Sequence, residues 1–124
     1  MTSILVVDDD RAFCQVVTET LAKAGYETRM VNDGREAMRQ LEDNPVDIVV
    51  TDIFMPRADG MEVISMLRRV SPSTRIIVMS GYDNADNIDF LQVAITFGAT
   101  SILKKPFRAA ELLKAVADCS PADS

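Results

Sequence analysis

The chain contains no histidine. That excludes histidine as a general base, removes the usual donor of zinc and copper sites, and rules out a phosphohistidine on this chain itself. Only two cysteines are present, Cys14 and Cys119. They lie in helical patterns with no close-spaced partner, so we expect structural or free thiols of a reducing cytosol rather than a metal or disulfide framework. No apolar run approaches the length of a membrane span. Met1-Thr2-Ser3 leads directly into Ile4-Leu5-Val6-Val7, which is not a signal-peptide pattern. Lysine and arginine are outnumbered, 13 against 19 acidic residues, for a net charge of −6. An acidic surface argues against direct binding to nucleic acid or to anionic lipid. A Gly-rich loop of Walker or Rossmann type is missing as well, which argues against a nucleotide site. With these chemistries excluded, carboxylates, hydroxyls, lysine and thiols remain. Any metal site has to be oxygen-rich, which favours Mg²⁺, Mn²⁺ or Ca²⁺.

What is present is a regular alternation. The 124 residues, 48% of them hydrophobic, suffice for one domain with a full core. We expect a single domain over residues 1–124, with 120–124 a polar tail that either closes a single-domain protein or opens a linker. Ile4–Val7 is a short apolar run ending in Asp8-Asp9-Asp10 and reads as a buried first strand. Residues 11–24 carry Phe13, Val16, Val17, Leu21 and Ala24 at helical spacing, stopped by Gly25. Glu27–Val31 reads as a second strand, Asn32-Asp33-Gly34 as a turn with cap chemistry, and 35–43 as a second helix. A third strand runs from Asp47-Ile48-Val49-Val50 to Asp52. It is followed at once by the turn signals Met55-Pro56 and Asp59-Gly60. A third helix follows Gly60, a fourth strand covers Arg75–Met79 and ends in Ser80-Gly81, and a fourth helix is expected over 85–97. Thr100–Leu103 is a short fifth strand before Lys104-Lys105-Pro106-Phe107, and Ala110 to Ala117 form a final helix.

Five strands alternating with five helices specify an α/β fold with a parallel sheet covered on both faces. Right-handed crossovers and this length suit a doubly wound, flavodoxin-like sheet of order 2-1-3-4-5. The strands then share one carboxyl edge. Asp8, Asp9 and Asp10 follow strand one, Asp52 ends strand three, Ser80 follows strand four, and Lys104-Lys105 follow strand five. Strands one and three are neighbours in this order, so Asp8, Asp9 and Asp52 converge. Clustered carboxylates repel unless a cation lies among them. An acid cluster, a hydroxyl and a lysine about a hard metal is a layout for phosphoryl transfer. Asp52 is the natural acceptor, because a carboxylate can form an acyl phosphate. By itself Asp52 is also a reasonable turn former or helix cap. Asp10 reads better as the N-cap of helix one than as a metal ligand.

These residues resemble the receiver domain of bacterial response regulators, of the chemotaxis-regulator type, over residues 3 to 120. The motifs that carry the resemblance are Val6-Val7-Asp8-Asp9, Asp52-Ile53-Phe54-Met55-Pro56 with Asp59-Gly60, Met79-Ser80-Gly81, and Gly98-Ala99 leading to Lys105-Pro106-Phe107. Each is weak alone, and together in this order they are specific. The resemblance implies that Asp52 is the phosphoacceptor. It implies Mg²⁺ held by Asp8, Asp9, Asp52 and the backbone carbonyl of Phe54. Ser80 would bind a phosphoryl oxygen, and Lys105 would pair with the phosphoryl group. It further implies a cytoplasmic switch loaded by a sensor histidine kinase or a histidine phosphotransfer protein. An output protein or a second copy would dock on the face made by the helix at 85–97, strand five and the final helix.

A constitutive interaction module on the same fold, needing no phosphate, is the alternative. A small Mg²⁺-dependent phosphatase is a third reading, disfavoured because Phe54 stands where such enzymes place a second aspartate. Two departures from the family pattern stand out. Ile102 occupies the position, three before the lysine, that usually holds a switching aromatic ring. The segment from Ser80 to Gly98 also looks about three residues longer than usual. A cis Lys105–Pro106 bond is expected, since the lysine must turn back sharply toward the acid cluster. The resemblance also implies that Phe54 and Tyr82 flank the approach of hydrolytic water, so a slowly decaying phosphoryl group is expected.

Overall fold

The computed structural model describes residues 1–53, 60–80, 92, 95, 96 and 98–120. Five strands are seen: β1 (Ser3–Val7), β2 (Glu27–Val31), β3 (Ile48–Asp52), β4 (Arg75–Ser80) and β5 (Ser101–Lys104). They form one sheet in the order β2-β1-β3-β4-β5, with every pairing parallel. Four helices are described in full: α1 (Arg11–Lys23), α2 (Gly34–Asp43), α3 (Gly60–Val70) and α4 (Ala109–Cys119). Most of the helix expected over 85–97 lies outside the described residues. Gln92, Ile95 and Thr96 are helical, and the Thr96 hydroxyl donates to the Gln92 carbonyl one turn back.

The apolar strands are buried on both faces, and the period of two sorts their side chains between two cores. Leu5 and Val7 of β1 join Val49, Ile76 and Val78 on one face, under Ala37 and Leu41 of α2 and Ile64 and Leu67 of α3. Ile4 and Val6 point the other way. They pack with Ile48, Val50, Ile77 and Met79 against Cys14, Val17 and Leu21 of α1 and Leu112 and Val116 of α4. Fully burying one such aliphatic side chain contributes about 1.5–3 kcal/mol. These two layers therefore fix which strand ends are neighbours.

The helix ends follow their local chemistry. The Asp10 carboxylate accepts from the Phe13 N–H at 3.1 Å and caps α1, as expected. Asp33 does the same for α2, accepting from the Glu36 N–H at 2.8 Å. Gly25 closes α1 at φ +99°, a conformation that costs a side-chain-bearing residue. At the start of α4 the Glu111 carboxylate reaches back to the Arg108 N–H at 3.1 Å.

Several strand limits differ by one residue from the sequence expectation: β3 begins at Ile48 rather than Asp47, β4 runs on to Ser80, β5 to Lys104, and the starts of β1 and β5 shift too. β1 begins at Ser3, because the Ser3 N–H and hydroxyl both bond the Asp47 carboxylate, at 2.9 and 3.2 Å. β5 begins at Ser101 rather than Thr100. There the Thr100 hydroxyl accepts the Ile76 N–H at 3.2 Å, so a side chain takes the place of a ladder carbonyl.

Candidate functional site

Each site residue sits where a strand stops. Asp8 directly follows β1 and is 0% exposed. Its backbone is held from the β2 side: its N–H donates to the Val31 carbonyl at 3.3 Å, and its carbonyl accepts from the Asn32 amide at 3.0 Å. Its Oδ1 accepts the Asp10 N–H at 2.9 Å, which turns the chain into α1. Asp9 is exposed beside it. Asp52 is the last residue of β3 and only 8% exposed. Carboxylate oxygens of Asp8, Asp9 and Asp52 all lie within 4.8 Å of one another.

Lys105 reaches this cluster from the far side of the sheet. Its N–H donates to the Ser80 carbonyl at 2.7 Å, and the Lys105–Pro106 bond is cis, as expected. Its Nζ lies 2.8 Å from Asp8 Oδ2 and 3.5 Å from Asp52 Oδ2. Burial pulls the Lys105 pKa down, but the Asp8 hydrogen bond and the charges of Asp52 and Asp8 outweigh it and raise the value above 10.5. Lys105 is therefore protonated throughout the physiological range. Lys104, its neighbour, ends β5 and points to solvent.

Ser80 ends β4, the strand paired with β3, and is buried at the same edge. The structure thus brings Asp8, Asp9, Asp52 and Lys105 into direct proximity and sets Ser80 on the adjoining strand end. The Phe54 carbonyl and Tyr82 lie outside the described residues. Asp10 serves α1 as its cap. Cys14 is buried behind Asp8, its Sγ 3.8 Å from the carbonyls of Val6 and Val31. Burial, with the Asp8 charge, pushes its thiol up to about 11, which makes it a poor nucleophile. Cys119 is likewise buried and free.

Sequence reasoning missed two residues here. Asn32 was read as turn chemistry, yet its side chain holds the Asp8 carbonyl. Phe13 was read as helix-core spacing, and it does pack on that core, but its ring also lies 4.4 Å from Lys105 Nζ.

Among the described residues, three carboxylates, that of Asp9 exposed, meet one ammonium, a formal excess of two negative charges. A divalent cation would cancel that excess, and an all-oxygen donor set suits a hard one. The residues present therefore fit a divalent metal of the Mg²⁺ type.

Fold and site together define a doubly wound α/β domain whose acidic crevice could hold a metal ion. The chain belongs to the response regulator receiver domain family, whose model matches residues 4–117. Such a domain is the phosphorylation-activated switch of two-component signalling. The chain is 38% identical over 115 residues to a DNA-binding transcriptional regulator NtrC of Azospirillum brasilense, covering 92% of this chain and 23% of that protein. It is 38% identical over 110 residues to the response regulator MprA of Mycolicibacterium vanbaalenii, covering 89% of this chain and 46% of the relative. It thus spans less than half the length of these relatives. Among solved structures it is similar to the chemotaxis protein CheY4 of Vibrio cholerae. That match has a TM-score of 0.87 and 32% identity, over 97% of this chain and 99% of the other.

Proposed function

We propose that Asp52 accepts a phosphoryl group from a phosphohistidine of a sensor kinase or phosphotransfer protein. The observation that carries this is the convergence of Asp8, Asp9 and Asp52 within 4.8 Å, with Lys105 bridging Asp8 and Asp52. An Asp52 carboxylate oxygen attacks phosphorus and forms a P–O bond. The P–N bond to the donor imidazole breaks, and its electron pair returns to that nitrogen. The product is an aspartyl phosphate and a free histidine on the donor. Asp8, Asp9, Asp52 and the Phe54 carbonyl would hold Mg²⁺, which when bound supplies neutralisation of the crowded negative charge. Lys105 supplies a fixed point charge for a phosphoryl oxygen, and the Ser80 hydroxyl supplies a hydrogen bond. The chain's only chemistry, on this reading, is its own Mg²⁺-dependent phosphorylation and dephosphorylation.

Residues 1–124 act as one cytoplasmic receiver domain. Partners dock on the face made by the 85–97 helix, β5 and α4, because Ser80 and Lys105 lie at the roots of those elements. An output protein or a second copy of the chain is the occupant. In the family the side chains at the positions of Phe54 and Tyr82 flank the approach of water, so by that likeness slow phosphate loss is expected. Faster loss from Phe54→Asn and Tyr82→Glu than from wild type checks this, and equal rates refute it.

Beryllium fluoride mimics a phosphoryl group on a carboxylate. Fluorine NMR of the chain with beryllium fluoride should show bound resonances only when Mg²⁺ is added, and none in Asp52→Asn. A wild-type spectrum without bound signals in Mg²⁺, or one unchanged by Asp52→Asn, contradicts the assignment.

A further inference from the structure

Two aromatic rings stand beside the acid cluster with no part in the roles above. Phe13 lies in the first turn of α1, and Phe107 lies two residues beyond Lys105. Their centroids are 5.6 Å apart with planes at 79°, an edge-to-face pair. Lys105 Nζ lies over the Phe13 ring, 4.4 Å from its centroid. A ring carries negative charge on its face and positive charge at its edge. An ammonium within about 6 Å of a ring centroid is attracted to that face, and more strongly where water is excluded. Both rings are half-buried, against the core under α1 and α4.

Lys105 is thus held by two kinds of partner. Asp8 and Asp52 hold it by charge, but they are the groups a divalent cation would also engage. Once such an ion shares their oxygens, their hold on the ammonium weakens. The pull of the Phe13 ring is independent of the cation. A lysine side chain has four carbon–carbon rotations and many exposed rotamers, so a second anchor decides where its charge sits.

We propose that Phe13 is a positioning residue for Lys105: its ring face keeps the ammonium at the cluster when a cation occupies the carboxylates, and Phe107 braces the ring. This rests on the reading of Asp52 as the phosphoacceptor. Its consequence is kinetic, since a misplaced Lys105 charge would stabilise the transferring phosphoryl group less well. It also places an aromatic contact on the α1 side of the lysine, in a chain whose β5 carries Ile102.

The test replaces Phe13 with fluorinated phenylalanines, which keep the ring's shape and drain charge from its face. In the metal-free chain the Lys105 ε-methylene protons should show an upfield ring-current shift that Phe13→Leu removes. With acetyl phosphate and Mg²⁺, phosphorylation should slow stepwise with fluorination, by roughly three- to tenfold at the trifluorinated ring. In a Lys105→Met background the same replacements should change nothing further, because the ring acts through the lysine. Rates indifferent to fluorination, or a fluorination effect that persists in Lys105→Met, overturn the proposal. A wild-type chain that takes up no phosphate overturns the acceptor reading instead. The ring-current shift still decides the contact in that case, and its absence overturns the proposal independently.

Discussion

The two edges of the sheet handle polar groups in opposite ways. At the amino edge the side chains of Ser3, Asp47, Ser71 and Thr74 are hydrogen-bonded. The Asp47 carboxylate accepts from the Ser3 N–H and hydroxyl, while the Asp47 N–H returns a bond to Ser3 Oγ at 3.1 Å. The buried Thr74 hydroxyl donates to the Val46 carbonyl at 2.8 Å, so the Ser71 hydroxyl, 2.7 Å away, is its donor. At the carboxyl edge Asp8 and Asp52 share Lys105, with the Asp9 carboxylate beside them. The first set of side chains is paired without any ion or ligand. The second keeps, among the described residues, an excess of negative charge that a divalent cation can neutralise. A site able to switch is expected at the edge left unbalanced, since like charges held together raise the energy of the empty state.

The comparison can be broken by removing one group from each edge. Asp9→Ala takes away an exposed member of the cluster. Mg²⁺ affinity should fall on the order of tenfold or more, because ligand number and charge both drop. Metal-free stability should stay level or rise, because a repulsion has been relieved. A titration of Mg²⁺ followed by thermal unfolding reads both quantities. A metal-free protein clearly destabilised by Asp9→Ala would mean that the carboxyl edge is paired like the amino one.

Thr74→Val is the matching change at the amino edge. It strands the Ser71 hydroxyl and the Val46 carbonyl in a buried position, a loss of about 1–3 kcal/mol. Phosphate uptake at saturating Mg²⁺ should be unaffected. Denaturant unfolding and labelling of the same variant check the two halves, and impaired labelling with unchanged stability would reverse the contrast.

The smallest effect appears only in alkali. The Cys14 thiol titrates near 11 in the folded chain against an ordinary 9.0. A raised folded value means that its contribution is complete below about pH 9 and is lost as pH climbs through 11. Lys105, also raised, fades above 10.5. The fall in unfolding free energy between pH 9 and 11 should therefore be shallower in Cys14→Ala than in wild type. An equal slope would mean that the buried thiol does not couple to folding.

Much of this was legible in the sequence, for reasons tied to particular residues. Runs such as Ile48–Val50 identify buried parallel strands, and the parallel order brings Asp8 and Asp52 together without any side-chain detail. Pro106 after Lys105 announced the cis turn. Asp10 before the Phe13 periodicity announced the cap of α1. The core-facing reading of Phe13 held, but its contact with Lys105 was not foreseen, because helical spacing reports which side of a helix is covered, not what covers it. Its contact with Lys105 joins residues far apart in the chain, and no local pattern records such a pair. The Gly98 turn is a similar case. A Cβ there would come within 2.6 Å of Arg68 Cδ, so the glycine leaves room for a side chain from α3. The residues Phe54 and Tyr82, on which the expected lifetime depends, lie outside the described residues.

The central claim is that the unbalanced edge is a phosphoryl acceptor centred on Asp52. Intact-mass spectrometry after incubation with acetyl phosphate tests it most directly. Wild type in Mg²⁺ should gain the mass of one phosphoryl group, lose it on chelation of the metal before labelling, and gain none as Asp52→Asn. Equal gain by Asp52→Asn and wild type, or gain that ignores removal of Mg²⁺, would contradict the account.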